Sequence, residues 1–241
     1  MYRTDARAQS WVANGAAAFA WQAQSAANDL FSVQKRPLPV EAFWRVLDIV
    51  ISLAALVLLA PAAVVISLLI KLQDGGPILF SQERIGRDGR RFRCWKFRSM
   101  RPDAEVHLAV LLASDSGLRR QWELHRKLKD DPRITPLGDF LRRSSLDELP
   151  QLLNVLGGDM SIVGPRPIVD SEIICYDRWF RYYIAVKPGL TGLWQVSGRN
   201  DVSYRRRVAM DRFFCRAHSI KLYLQILLAT APAVLLRRGS Y

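Results

Sequence analysis

The chain has 241 residues, half of them hydrophobic, and its 35 Lys and Arg against 22 Asp and Glu give a formal net charge of +13. That length allows one large domain with a core of real size, and a basic, apolar chain suits an anionic membrane surface, a nucleic acid or phosphorylated substrates. Cys94, Cys175 and Cys215 are scattered, and His107, His125 and His218 show no ligand spacing with them, which argues against a disulfide framework or a zinc centre and fits a reducing compartment.

Residues 1–38 form a tail rich in Ala, Gln and Ser, with Trp11, Phe19 and Trp21 interspersed. It is expected to be either disordered or interfacial, lying on a membrane surface. Arg3, Asp5 and Arg7 are not followed by a continuous apolar run, so the start does not read as a secretory signal, and the catalytic part is expected in the cytoplasm.

From Ile49 to Ile70 the segment IVISLAALVLLAPAAVVISLLI runs 22 residues without a charge, long enough to span a bilayer. Basic residues flank it on both sides: Lys35, Arg36 and Arg45 before, Lys71, Arg84, Arg87, Arg90, Arg91 and Arg93 after. Both flanks therefore carry the cytoplasmic signature. Pro61, near the middle, removes a helical hydrogen bond and pushes its ring into the preceding turn. The two observations together predict a re-entrant membrane helix over residues 46–71, broken at Pro61, rather than a single span. Ser52, Ser67 or neighbouring protein would have to cover the backbone groups that such a break frees.

Next, Ile78–Phe80 and Phe92–Phe97 read as short strands of a hairpin around a Gly-containing turn. Apolar positions recur at helical spacing between Ala104 and Lys129, predicting an amphipathic helix or helix pair. Asp131-Pro132 and Thr135-Pro136 are turn signals, and Leu137 to Arg143 make one or two helical turns. Near the C-terminus, IKLYLQILLATAPAVLLRR contains Lys221 and Pro232 and predicts a helix lying on the membrane or dipping into it.

Between these elements lies RRSSLDELPQLLNVLGGDMSIVGPRP, Arg142 to Pro167. Ser145 and Glu148 have capping-box spacing before an apolar run, and both Asp147 and Glu148 would complement a helix N-terminus. Pro150 fits poorly at the fifth position of such a helix and better within the first turn of one capped by Asp147. With Arg142, Arg143 and Arg166 around it, Asp147 is expected to be ionised at neutral pH and able to attack phosphorus or hold a divalent metal. Gly157-Gly158 can end the helix in left-handed conformations, and Pro165 and Pro167 stiffen the loop that presents Arg166. The residues alone leave two readings open: helix capping with surface salt bridges, or a site for phosphate chemistry.

This block, with IKLQDGGPILFSQERIGRDGRRFRCWKFRSM and KPGLTGLWQVSGR, resembles the bacterial sugar transferases, monotopic polyprenyl-phosphate hexose-1-phosphate transferases that start exopolysaccharide assembly. The resemblance runs from about Pro39 to the C-terminus, and it is to the short type, without a multi-helix N-terminal membrane module. It implies an α+β, mostly helical fold: a Pro-broken re-entrant helix, a short β-hairpin and interfacial amphipathic helices around a cytoplasmic catalytic core, residues 39–241. It implies Asp147 as nucleophile and Glu148 as ligand of Mg²⁺, with UDP-hexose and undecaprenyl phosphate as substrates and UMP as product. Arg166 is the arginine expected to bind phosphate, with Arg98 and Arg199 as further candidates. The expected setting is the cytoplasmic leaflet of the bacterial inner membrane, beside the later glycosyltransferases of the pathway. The sequence departs from the family pattern at Tyr223, where an acidic residue is common.

Two other functions fit parts of the sequence. A membrane-tethered nucleic-acid binder would explain the charge, but no helix-turn-helix, zinc or RNA-binding signature is present, and nucleic acid is not an expected partner. A non-catalytic scaffold of the polysaccharide machinery would not need Asp147, Glu148 and Arg166 together.

Overall fold

The structure is a computed structural model that describes residues 38–125, 128, 130–198, 201–217 and 219–235. The tail expectation falls, apart from Leu38, outside these residues.

Helix α1, Leu38–Asp74, has 37 residues with Glu41 in its first turn and Lys71 in its last, charges that match the helix dipole. The helix runs through Pro61 without ending. The break expected there is replaced by a continuous helix, since an internal proline costs one hydrogen bond and a local clash while the turns on either side remain paired. Of the two serines expected to cover freed backbone, Ser67 donates to the Ala63 carbonyl at 2.7 Å, and the buried Ser52 hydroxyl has no partner.

One face of α1 is anchored at both ends. Trp44, Asp48 and Ser52, spaced four apart, are buried near the N-terminus, and Ile66 and Ile70 near the C-terminus. The other face is apolar and bare, with Val57 77% and Leu58 78% exposed. A water-soluble surface rarely leaves so large an apolar area open. By length and composition α1 suffices to cross a membrane, and it is consistent with membrane association.

Strands β1 (Leu79–Ile85) and β2 (Arg91–Phe97) form an antiparallel hairpin, with Leu79 opposite Phe97 and Ile85 opposite Arg91. Strand β1 extends five residues past the expected Phe80, because Glu83 pairs with Arg91 at 3.2 Å and the charges sit on an exposed face. Two helices follow as anticipated, α2 (Ala104–Ser114) and α3 (Ser116–His125), then α4 (Pro136–Ser144). The chain continues through α5 (Gln151–Gly157), β3 (Ser161–Val163), the short helices α6 (Ile173–Tyr176) and α7 (Phe180–Ile184), and β4 (Gly189–Thr191). It ends in α8 (Leu193–Val196), α9 (Tyr204–Ala217) and α10 (Ile220–Leu235). The described chain is thus mostly helical with two small two-stranded sheets.

Strands β3 and β4 pair in parallel, Ser161 with Gly189 and Val163 with Thr191. They approach so closely beyond the pairing that a Cβ on Gly164 would stand 2.6 Å from the Lys187 carbonyl oxygen and 2.8 Å from the Gly189 nitrogen. Only glycine fits there.

The main core packs Trp44 of α1 against Leu152 and Val155 of α5, Ile162 and Val163 of β3, and Tyr223 and Ile226 of α10. Within it, buried Asp48 accepts hydrogen bonds from the Ser161 hydroxyl and the Ile162 amide, each at 2.9 Å, and from the Tyr223 hydroxyl at 3.1 Å. The departure at Tyr223 therefore has a structural role: its hydroxyl is a donor to a carboxylate, which an acidic residue could supply only when protonated. A second core joins Ile85, Ile168, Tyr176, Tyr183 and Val208, and a third joins Ile66 and Ile70 of α1 to Phe97 and Leu141.

Candidate active site

Three anchors aim the Asp147–Glu148 segment. Thr135 caps α4 by accepting from the Gly138 amide at 2.9 Å, and α4 ends at Ser145 in a left-handed conformation, φ 58°. Leu146–Glu148 then form one 3₁₀ turn, and Leu146 and Leu149 pack into the cluster of Ile66, Ile70, Phe97 and Leu141. After the turn, Asn154 of α5 accepts from the Trp95 amide at 3.0 Å and donates to the Arg93 carbonyl at 2.7 Å, docking the helix on the backbone of β2. At the far end of α5, Gly158 is left-handed at φ 93°, its amide donates to the Asn154 and Val155 carbonyls, and the Arg45 guanidinium donates to the Val155 and Leu156 carbonyls.

Neither expected cap forms. Ser145 makes no side-chain capping bond, and the residue preceding α5 is Pro150, which has no N–H to satisfy. Proline is pre-organised for that place, and the acids are left free of helix capping.

They meet Lys96 instead. Its ammonium lies 2.6 Å from Glu148 Oε1 and 3.6 Å from Asp147 Oδ2, reached across the fold from β2. The Asp147 side chain is only 10% exposed and that of Glu148 25%. Burial pushes the Asp147 carboxyl up to about 6, against the pull of Lys96 and with a further upward contribution from Glu148. The expectation of an ionised aspartate at pH 7 stands, but dehydration, not the neighbouring cations, has the larger effect. Burial also raises Glu148, yet Lys96, Arg166 and Arg84 together outweigh it and hold this carboxyl below its usual value. The two acids are thus driven apart, one near neutrality and one firmly ionised.

Lys96, Glu148, Gln151, Arg84, Arg166 and Gln195 line a narrow recess with room for about one water molecule. Arg166 arrives on the GPRP loop after β3, as the sequence predicts, and that loop is tied down by the Arg84 guanidinium donating to the Pro167 carbonyl at 3.1 Å. Arg142 flanks Asp147 from the other side and donates to the Ser99 hydroxyl at 2.8 Å. Arg98 is not among the recess residues: β2 ends at Phe97, and Arg98 pairs with Asp74 at the C-terminal end of α1, its Nε and Nη1 buried without partners. Arg199 lies outside the described residues.

Sequence reasoning did not single out Lys96 or Gln195, whereas Arg84 is one of the hairpin arginines that the sequence offers for phosphate or headgroup contact. The alternation of a strand offered a signal for the first: Cys94 and Lys96 share a face of β2 by period two, and both line the recess. Among the described residues no three His, Cys, Asp or Glu side chains come together as a metal cage, and the carboxylates that could hold a cation are Asp147 and Glu148.

The arrangement is an ionisable carboxylate beside a cation-lined recess, suited to moving a phosphoryl group. Comparison with known proteins agrees. A sequence model described as "Bacterial sugar transferase" matches residues 40–237. The chain is 47% identical over 197 residues to the exopolysaccharide production protein ExoY of Sinorhizobium fredii, covering 82% of this chain and 87% of that one. It is 47% identical to the UDP-galactose-lipid carrier transferase of Erwinia amylovora and 48% to the undecaprenyl-phosphate galactose phosphotransferase of Salmonella typhimurium, each match covering 82% of this chain. The match spans 41% of each of those two longer proteins. The chain belongs to the bacterial sugar transferase family.

Proposed function

We propose that the chain transfers a hexose 1-phosphate from a UDP-sugar to undecaprenyl phosphate, releasing UMP, as the first membrane step of exopolysaccharide synthesis. The observation that carries this reading is the placement of Asp147, buried but ionisable near neutral pH, beside Lys96 and a recess edged by Arg166 and Arg84. The names of the relatives point to the same substrates.

An Asp147 carboxylate oxygen attacks the β-phosphorus, the bond from that phosphorus to the bridging oxygen breaks, and UMP departs with the electron pair. A phosphate oxygen of the lipid then attacks the same phosphorus, the bond to Asp147 breaks, and the free carboxylate returns. Neither step needs a histidine base, because both nucleophiles are anions. Lys96, Arg166 and Arg84 offset charge on the transferring group.

Glu148 would hold Mg²⁺ together with the substrate diphosphate. The residues fit this ion: magnesium is commonly held by one or two carboxylates plus substrate phosphates, and the Lys96 ammonium between the two acids occupies ground suited to a cation. When bound, the ion supplies further charge compensation on the phosphates.

The site faces the cytoplasmic leaflet of the inner membrane, where it can hand its product to later glycosyltransferases, and α1, kinked at Pro61 while remaining one helix, dips into that leaflet with both ends on the cytoplasmic side. Support comes from the packing of α1, whose N-terminal half rests on β3 and α10 and whose C-terminal half rests on Phe97 and Leu141 of the same body. A spanning helix would carry one end away from that body. Helix α10, with Ile220, Leu224 and Leu228 exposed at four-residue spacing, has an apolar stripe for the interface.

The test is UMP release by the full chain in lipid nanodiscs with Mg²⁺, undecaprenyl phosphate and a panel of UDP-hexoses. At least one UDP-hexose should be turned over by the wild type and none by Asp147→Asn; undiminished turnover in a folded Asp147→Asn chain would remove the nucleophile. For topology, cysteines placed before Arg45 and after Lys71 should both be shielded from a reagent confined to the periplasm, and labelling of one alone would mean a span.

A further inference from the structure

The two edges of the β1–β2 hairpin differ. On β2 the Asn154 side chain covers the outward backbone groups of Arg93 and Trp95. On β1 the outward residues are Ser81, Glu83 and Ile85. The Arg98 amide donates to the Ile78 carbonyl and the Gly86 amide to the Arg90 carbonyl, so the pairs bonded across the hairpin fall on the even-numbered residues. Of the three, Ile85 is taken: its amide donates to the Ile168 carbonyl at 3.0 Å. After Ile168 the chain leaves this edge for the 3₁₀ turn Asp170–Glu172, so among the described residues no third strand reaches the Glu83 N–H and carbonyl.

Between that bare edge and the turn lies a groove of about 350 Å³, with Gln82, Glu83 and Arg84 on one wall and Val169, Asp170 and Ser171 on the other. Its volume is within the roughly 300–1,000 Å³ of small-molecule sites. Arg91 ties the walls together, reaching Glu83 at 3.2 Å and Asp170 at 3.0 Å. Arg84 lines both this groove and the recess beside Glu148. Its guanidinium is held in place, donating to the Pro167 carbonyl at 3.1 Å and to Gln82 Oε1 at 2.7 Å.

The groove also lies at the watery end of the hairpin. Phe97 packs on Ile66 and Ile70 of α1, whereas Arg84 is opposite Phe92, five residues along β2 and roughly 16 Å away. A water-soluble group reaches it without passing α1.

Its walls disfavour a bare phosphate, because Glu83 and Asp170 are both acidic. They suit a neutral group rich in donors. A carboxylate is a natural acceptor for ribose hydroxyls. A strand edge presents an N–H beside a carbonyl, the complement of a pyrimidine edge that carries a carbonyl beside an N–H. The phosphates of such a ligand would then meet Arg84, on the way to Arg166 and Lys96.

We infer that the groove between β1 and the Asp170–Glu172 turn is the nucleoside subsite, holding the uridine of the donor while Arg84 faces its diphosphate. This inference rests on the proposed use of a UDP-sugar.

The experiment uses wild type, Ser171→Trp and Asp170→Asn as full chains in nanodiscs. Each is titrated with UMP, with its 2′-deoxy and 3′-deoxy analogues and with inorganic phosphate, and is assayed for UMP release from the best UDP-hexose. Ser171→Trp fills the groove from an exposed position and should weaken UMP about 10-fold or more, with KM for the UDP-hexose raised to match. Its phosphate affinity and melting temperature should stay at the wild-type values. Asp170→Asn should weaken UMP about 10-fold, as for one lost hydrogen bond to a charged acceptor. For one deoxy analogue the wild type should fall by a similar factor and Asp170→Asn no further. Tighter UMP binding by Asp170→Asn would mean that the carboxylate acts only by repelling the phosphate, and would overturn the inference. So would unchanged UMP affinity in Ser171→Trp, or an equal loss of phosphate affinity. In those cases a wild type that turns over a UDP-hexose leaves the transfer reaction standing. A wild type that neither binds UMP nor releases it removes the proposed function, and the inference with it.

Discussion

Replacing Asp147 by asparagine should stabilise the protein while it removes activity. The carboxyl stands at about 6 in the folded chain against 3.8 for an ordinary aspartate, with burial the largest cause. A raised folded value means that the folded chain binds this proton more tightly than the unfolded chain, so stability from this group falls as pH rises between the two values. Two pKa units correspond to about 3 kcal/mol at 1.36 kcal/mol per unit. Asparagine keeps the shape and lacks the charge, so the variant should exceed the wild type by about 3 kcal/mol at pH 8 and by roughly half that at pH 5. In a domain of this size that amounts to about 6–12 °C in melting temperature at pH 8. Thermal unfolding followed by tryptophan fluorescence in nanodiscs at the two pH values is the assay. A variant that melts at or below the wild type at pH 8 would refute the claim that Asp147 is held ionised against a dehydration cost.

Lys96→Gln removes a cation that lowers both carboxyls, so the acid limb of the pH–rate profile, set near 6 by Asp147, should move to higher pH and the maximal rate should drop; an unmoved limb would separate Lys96 from the nucleophile. Gly164→Ala forces a methyl group against the Lys187 carbonyl and the Gly189 amide, and should cost about 1–3 kcal/mol or more in unfolding free energy while displacing Arg166. Tyr223→Phe takes one of three donors from buried Asp48 and should cost about 1–3 kcal/mol in the same unfolding measurement.

The parts of the site that were legible in the sequence are those that adjacency fixes. Asp147 and Glu148 are neighbours in the chain, and Pro165 and Pro167 flank Arg166, so any fold keeps them together. Lys96 is 52 residues from Glu148, and only the docking of Asn154 on β2 brings them into contact. Arg98 was misread because a strand end reverses a side chain's direction: one residue beyond Phe97 the alternation stops, and the guanidinium turns to Asp74. The capping box was misread because spacing records which residues are three apart, not whether a proline two places on starts the helix later. The hairpin, the helix pair and α4 followed from periodicity and turn chemistry. The parallel pair β3–β4 did not, since three-residue strands are too short to show a period of two. Pro61 marks a lost hydrogen bond, and whether a helix ends there depends on packing that composition does not record.

The central claim, that Asp147 carries the sugar phosphate, is tested most directly without the lipid. Incubated with a UDP-hexose and Mg²⁺ but no undecaprenyl phosphate, the protein should release up to one UMP per chain, and mass spectrometry of its peptides should find one hexose phosphate on the peptide containing Asp147, discharged when undecaprenyl phosphate is added. Strict dependence of the first UMP on the lipid, with no modified peptide, would contradict it and require direct transfer from nucleotide to lipid.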